Sequence, residues 1–491
     1  MPAPRPLPVH DAVAQPTTCS QTQRRRRGVA AVAVLTLLMT SVGVAGAGSD
    51  LDNDGFDDLV VGVPDEDVAQ LDAGGAINIL RGAGGGVTVA RDRLYTQADL
   101  GGVVEVQDRF GNAIAYGDFD NDGFDDVAVG VPGEDYKGKQ DAGVVHVLYG
   151  SKSGARPRSA QLLSQAGKMK GANEAGDFFG AVLASGDFDN DGFDDLAIGT
   201  PGEDVGGAVA AGGVIVAYGG RNGIKTSGSQ ALTQKGKVPG KAEYLDTLGV
   251  SLAVGDFNND NFDDLAMGAP GESIGSADSA GNVVVLYGRK KGLNRRGTSL
   301  TQSGVVPGDV GGGHAFGRGL AAGDFDGNGV DDLVVGVSGE RRLVLFPGAG
   351  GGLSAGTSSS VRAGDLPGSV STGEDFGKVL AAGNFDGGAD DELAVGSQKS
   401  TVAGVANAGQ VIILGGGVAG IPASSAFGID QGNLPKATPE PGDQLGSALR
   451  VGDFNNDNYD DLAMGSAHED VGSKRDSGVV YVAYGSASSL Q

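Results

Sequence analysis

The stretch Asp118-Phe119-Asp120-Asn121-Asp122-Gly123-Phe124-Asp125-Asp126 recurs along the chain, and its recurrence decides the fold. Related nine-residue acidic loops start at Asp50, Asp187, Asp256, Asp324, Asn384 and Asp453, at intervals of 68, 69, 69, 68, 60 and 69 residues from Asp50 onward. A fixed period of this length marks an array, a solenoid or a propeller. Around each loop lie four short apolar runs. In the second copy they are Phe110–Gly117, Val127–Val131, Val144–Tyr149 and Ala160–Leu163, each bounded by Gly, Pro or Asp. Such runs are strands. Asn282–Tyr287 and Gln410–Leu414 are apolar at consecutive positions instead of alternating ones, which implies burial on both faces of the sheet. Seven four-stranded units covered on both faces predict an all-β, seven-bladed β-propeller over residues 48–491. One loose end goes with that prediction. The first copy has no Phe-Gly run and the last stops before a fourth strand, so two blades come one strand short unless residues such as Val42–Ala45 supply one.

Composition narrows the function. The 491 residues include 90 Gly, and 62 acidic against 36 basic side chains give a net charge of −26. That balance argues against nucleic acid, whose affinity rests on Lys and Arg neutralising phosphates. Forty per cent hydrophobic residues suffice for a packed core.

Residues 1–47 read as a targeting segment. Arg24–Arg27 precede an apolar run from Gly28 to Val44, which closes on Ala45-Gly46-Ala47. A basic region, an apolar region and a small-residue cleavage site are the parts of a secretory signal. The alternative is a retained membrane anchor, since about 20 weakly apolar residues would just span a bilayer. Cleavage removes Cys19, the single cysteine, and leaves an exported chain with no disulfide and no stable membrane span. Location in the medium or at the cell surface is expected.

The loops carry the chemistry. Oxygen side chains at positions 1, 3 and 5, a sharp turn at position 6 and a carboxylate at position 9 suit Ca²⁺, which takes six to eight oxygen ligands. The sixth residue needs a conformation that Gly accepts and Asn tolerates. Six loops meet these requirements: Asp50, Asp52, Asp54 and Asp58; Asp118, Asp120, Asp122 and Asp126; Asp187, Asp189, Asp191 and Asp195; Asp256, Asn258, Asp260 and Asp264; Asp324, Asp326, Asn328 and Asp332; and Asp453, Asn455, Asp457 and Asp461. Position 6 is Gly or Asn in all six. Loop 384–392 lacks a position-5 oxygen and has Ala389 at the turn, so it is expected to be weak or empty. Turn capping would need one Asp, not four. Clustered carboxylates repel unless a cation neutralises them.

Phe110-Gly111, Phe179-Gly180, Phe316-Gly317 and Phe376-Gly377, each followed by an acidic loop, together with Gly-x-Pro segments such as Gly130-Val131-Pro132 and Gly268-Ala269-Pro270, resemble the FG-GAP repeat, although the later copies replace the Pro by Ser338, Gln398 and Ala467. That repeat builds the amino-terminal propeller of integrin α subunits and occurs in bacterial secreted proteins. The resemblance covers residues 50–491. It implies Ca²⁺ in the loops of one propeller face and a role in cell adhesion or ligand binding, with an extracellular protein or glycan as partner. The even spacing leaves no room for a domain inserted between copies. The chain is expected to be a monomer.

Enzymatic machinery is not evident. His146, His314 and His468 fall at different places in different repeats, and His146 lies in a buried-type strand. Gly271-Glu272-Ser273-Ile274-Gly275 has the form of a nucleophile elbow, but it occupies the repeat position of Gly202–Gly206 and lacks the helix that motif requires. A non-enzymatic module is expected. A hydrolase with a site in the propeller channel and a purely structural envelope component are the alternatives.

Overall fold

The computed structural model describes residues 49–434, 437–472 and 474–490. The targeting segment and the Val42–Ala45 strand lie outside the described residues. Among the described residues there is no α-helix. Twenty-six strands and six short 3₁₀ turns form seven sheets, arranged as seven propeller blades. Each complete blade is an antiparallel meander. Blade 2 runs from its inner strand Ile114–Gly117 through Asp126–Val131 and Val144–Leu148 to its outer strand Gln161–Leu163. Blades 3 to 6 repeat that order. Blade 1 (Leu59–Val63, Ala76–Arg81, Thr88–Tyr95) and blade 7 (Leu445–Gly452, Asp461–Ser466, Val479–Ala483) have three strands each, as the sequence led one to expect. The consecutive apolar runs are buried throughout, Asn282–Leu286 and Gln410–Leu414 at every residue. The short interval before Asn384 arises in blade 5. There the hairpin from Asp332–Val337 to Arg342–Phe346 is cut to the 3₁₀ turn Ser338–Glu340.

The repeated Phe-Gly and Gly-x-Pro motifs are the two halves of one blade-to-blade joint. Phe110, Phe179, Phe316 and Phe376, with Leu248 and Leu445 in their place elsewhere, are fully buried. The glycine after each has a φ between 87° and 92°, a region that disfavours side chains. Its carbonyl rests on the Gly-x-Pro glycine of the preceding blade. A Cβ on Gly130 would overlap the Gly180 oxygen, and Gly62, Gly199, Gly268, Gly336 and Gly396 meet Gly111, Gly249, Gly317, Gly377 and Gly446 in the same way. Two backbones approach closely because neither carries a side chain there.

The ring closes where the two chain ends meet. Blades 1 and 7 share a core of Leu59, Leu80, Val87, Phe454, Ala463, Val482 and Tyr484. Across this seam the Val87 N–H donates to the Tyr484 hydroxyl at 2.9 Å and the Asp453 N–H to Asp57 Oδ2 at 2.9 Å. On the inner side, the Arg450 guanidinium of blade 7 stacks 4.3 Å over the ring of Tyr116 in blade 2, whose hydroxyl accepts the Val60 N–H of blade 1 at 2.8 Å. One cation–π pair thus ties three blades together.

The joint makes a direct prediction. Gly130→Ala forces two backbones apart and should cost about 1–3 kcal/mol, the usual price of overpacking a tight contact. Gly167→Ala, where a Cβ meets nothing within 4 Å, should leave the thermal melt in place. Equal melts for the two variants would overturn this account of the motif.

Candidate metal centres in the loops

In blades 2 to 7 the loop connects the inner strand to the second strand, and loop 50–58 leads into Leu59–Val63 in the same way, so all seven sit at one end of the propeller. Their local fold is set by the position-1 carboxylate. Asp118 Oδ1 and Oδ2 accept the N–H groups of Asp122 and Gly123 at 3.0 and 2.9 Å, and Asp122 Oδ1 accepts that of Phe124 at 3.2 Å. The same three bonds recur in the loops starting at Asp50, Asp187, Asp256, Asp324 and Asp453. They wrap the chain around one carboxylate and leave the other side-chain oxygens to converge. Position 6 is left-handed in all six, at Gly55, Gly123, Gly192, Asn261, Gly329 and Asn458, as the turn requirement predicts.

Position 4 is left-handed too, and sequence reasoning passed over it. Asn53, Asn121, Asn190, Asn259 and Asn456 all have φ between 51° and 56°, with Gly327 and Gly387 in the remaining loops. Their signal was legible as Asn or Gly at a fixed place in every copy. Three of these side chains also reach the neighbouring loop: Asn53 Nδ2 donates to Gly123 O at 2.7 Å, Asn121 to Gly192 O at 2.5 Å and Asn190 to Asn261 O at 2.6 Å.

Position 8 was missed for a different reason. Its carboxylate serves the loop of the preceding blade and not its own. The position-1 N–H of each loop donates to Oδ2 of Asp125, Asp194, Asp263, Asp331, Asp391, Asp460 or Asp57 in the following blade, at 2.8–2.9 Å in all seven junctions. In six of them the N–H of that Asp returns a bond to the position-1 carbonyl. The loops are therefore linked head to tail around the whole ring.

Four loops bring three carboxylates within 4.8 Å of one another: Asp50, Asp52 and Asp54; Asp118, Asp120 and Asp122; Asp187, Asp189 and Asp195; Asp324, Asp326 and Asp332. The loops with Asn at position 3 keep the frame without forming such a group, and in one of them Asn258 Nδ2 donates to Asp264 Oδ2 at 3.1 Å. Loop 384–392 loses the frame. Asn384 Nδ2 donates to Gly388 O, and Gly388 N–H binds Asp386.

The donor set fits a metal ion. Asp120 Oδ1, Asp189 Oδ1 and Asn455 Oδ1, all at position 3, are buried acceptors with no donor. Such atoms are costly unless something satisfies them. Position 9 closes the base of each loop: Asp126 Oδ2 accepts the Phe119 N–H at 3.0 Å and Oδ1 the Gly150 N–H at 2.8 Å. Burial, reinforced by the facing loop carboxylates, pushes Asp126, Asp264 and Asp461 up to about 8 and Asp195 up to about 9. A cation beside them would restore their charged form.

The histidines do not assemble a site. His146 is buried in Val144–Leu148 with its ring 6.0 Å from Phe110, edge to face, and burial lowers it to about 4. His314 Nδ1 lies 2.9 Å from Asp309 O. The His468 N–H donates to Asp443 O. The Gly271–Gly275 segment forms part of a hairpin loop after Asp264–Ala269, with turns and bridges in place of a helix.

At the opposite end, a glutamine beyond the outer strand of one blade holds a glutamate after the Gly-x-Pro position of the next. Gln165 Nε2 donates to Glu203 Oε2 at 3.0 Å and Gln234 to Glu272 at 2.6 Å, and Gln431 pairs with Glu469.

These observations define a propeller with acidic loops that could hold metal ions at one end. The sequence model of the FG-GAP repeat family matches residues 42–80, 110–148, 179–216, 248–286, 316–357 and 445–483. Six of the seven blades thus carry FG-GAP repeats, in a propeller that resembles the integrin α kind. The chain is 31% identical over 259 residues to Integrin alpha pat-2 of Caenorhabditis briggsae, covering 48% of this chain and 19% of that one. It is 30% identical over 251 residues to Integrin alpha-5 of Xenopus laevis, covering 49% and 21%. Phosphatidylinositol-glycan-specific phospholipase D of Rattus norvegicus is 31% identical over 196 residues, covering 40% and 22%. The chain spans about a fifth of the length of these curated relatives. Among the described residues no helix is long and apolar enough to cross a membrane.

The Gln–Glu pairs predict a pH dependence. Burial raises Glu203, Glu272 and Glu469 from the ordinary 4.5 to about 7. The folded state therefore holds protons that the unfolded chain has released, and the associated stability is lost as pH rises from about 4.5 to 7. Glu272→Gln keeps a neutral acceptor for Gln234. Its melting temperature should fall less than that of the parent between pH 5 and pH 8. An identical fall would overturn the assignment.

Proposed function

We propose that this chain is an exported, calcium-stabilised propeller that binds a protein or glycan outside the cell, as an adhesion-type module and not an enzyme. The observation that carries the reading is the division of labour between the two ends. Acidic loops occupy one end. The connections from outer strand to next inner strand, at the other end, expose large apolar side chains: Val103, Phe178, Tyr244, Leu245 and Val305, in four successive connections. Large side chains left in water in one region mark an interaction surface more often than scattered ones do. The integrin α relatives support ligand binding, and the apolar run with its small-residue site supports export. Three histidines scattered over separate parts of the ring support a non-enzymatic role.

Calcium is the ion of choice because the donors are all hard oxygens, with no nitrogen or sulfur among them. Asp118, Asp120, Asp122 and Asp126, and their counterparts in the other framed loops, would hold it. The ion would supply charge neutralisation, which lets several carboxylates share a small volume without repulsion.

Two measurements test the reading. A thermal melt should rise with excess Ca²⁺ over chelator, and less with Mg²⁺. A loop at ten times its dissociation constant adds about 1.4 kcal/mol, and Asp118→Ala should remove one such increment. A melt indifferent to Ca²⁺ would overturn the metal reading. For the ligand end, immobilised chain should capture a component from a panel of extracellular proteins and glycans. Tyr244→Asp with Val305→Asp should abolish capture without shifting the melt. Capture that survives this pair would place the interface elsewhere.

A further inference from the structure

In every blade, the third strand ends beside the acidic loop of that blade. The glycine just after it donates its N–H to the position-9 carboxylate in six blades, at 2.7–3.1 Å: Gly82, Gly150, Gly219, Gly288, Gly348 and Gly485. The residue before that glycine therefore stands against the carboxylate cluster. It is Tyr149, Tyr218, Tyr287 and Tyr484 in four blades, Pro347 and Gly415 in two, and Arg81 in the first.

The tyrosines act as latches to the following blade. The hydroxyls of Tyr149, Tyr287 and Tyr484 accept the N–H groups of Ile224, Leu353 and Val87. Arg81 keeps the latch, since its Nη2 donates to Ser153 O of blade 2 at 3.0 Å. Its Nη1 does something no tyrosine can. It forms an ion pair with Asp52, at position 3, and lies 3.7 Å from Asp58 Oδ2, at position 9. The three side chains are only 18%, 16% and 2% exposed. Loops 2 and 3 also have a basic neighbour, but a different one. Arg156 and Lys225 are about half exposed and reach only the rim carboxylates Asp122 and Asp191, at 3.2 and 3.7 Å. Water screens such pairs, and they are worth little.

We propose that Arg81 replaces the metal ion in the first loop, so that loop 50–58 is neutralised from within the chain while the other framed loops take Ca²⁺. A guanidinium is charged at every physiological pH and offers several donors in a fixed fork. Placed against positions 3 and 9, it supplies the positive charge those carboxylates need and opposes the approach of a divalent cation by like-charge repulsion. The location has a consequence for the ring. Loop 50–58 carries Asp57, the acceptor that closes the seam to blade 7. With Arg81 in place, that seam keeps its charge balance whether or not calcium is present. This inference rests on the reading of the framed loops as calcium sites.

The test is a count of bound Ca²⁺ per full chain by equilibrium dialysis, made on the parent and on three variants. Asp54→Ala should leave the count unchanged, whereas Asp122→Ala, the same change in loop 2, should lower it by one. Arg81→Tyr, which installs the residue found in four other blades, should raise it by one. A count lowered by Asp54→Ala would overturn the assignment of Arg81 alone. No bound calcium in the parent would instead overturn the metal reading of all the loops. Should Arg81→Tyr fail to fold, the Asp54 and Asp122 pair decides by itself.

Discussion

The structure hangs on one hydrogen bond made seven times: the first N–H of each acidic loop given to the position-8 carboxylate of the next blade. A propeller blade is a small sheet that cannot bury both faces alone. It needs a neighbour on each side at a fixed angle. Seven identical short bonds at one end, with the Phe-Gly carbonyl seated on the Gly-x-Pro glycine deeper in the blade, fix that angle at every joint. The seventh bond joins Asp453 to Asp57, almost 400 residues apart in sequence. Circular closure thus uses the same chemistry as every internal junction, and no disulfide takes part.

That solution concentrates negative charge. Each loop uses one carboxylate to shape its own backbone, one to hold a neighbour and the rest to face each other. Backbone N–H groups neutralise part of this, and several position-3 oxygens are still left without a donor. The charge must be met by something positive. Oxygen-only donors in a tight turn suit a hard divalent cation, and in the first loop a buried arginine stands where four other blades have tyrosine. Loop 384–392 takes a third course. It gives up the frame, replacing a ligand and the turn residue, while keeping Asp391 for the ring. Its blade still packs, which separates the two jobs of the loop: position 8 holds the ring, while positions 1, 3, 5 and 9 build the acidic cluster.

The two ends of the molecule differ in kind. Strand direction alternates within a blade, so the loop end and the connection end are occupied by different hairpins of every repeat. One end is acidic and tied loop to loop. The other carries Gln–Glu pairs between blades and exposed valine, tyrosine and phenylalanine side chains. The loop end acts as the clamp of the ring, and the connection end leaves those apolar side chains in water.

Much of this was legible in the sequence, because repetition turns weak local signals into strong ones. One Asp-rich turn is ambiguous; seven at a near-constant period fix blade number and strand order, and six of them single out Asp118, Asp120, Asp122 and Asp126 with their counterparts as candidate ligands. Consecutive apolar residues announced strands buried on both faces, and Gly or Asn at position 6 announced a left-handed turn. What sequence could not decide was which loop each carboxylate serves. Position 8 looks like a spare ligand of its own loop, yet its partner lies some 75 residues away, a contact that exists only after blades stack. Arg81 likewise reads as an ordinary strand-end residue until the fold lays the third strand against the loop. Local backbone needs and burial patterns are written along the chain, so the sequence determined the repeat, the blades and the turns. Charge pairing acts through space, so only the tertiary structure decided which acids hold the ring together and which are left facing one another.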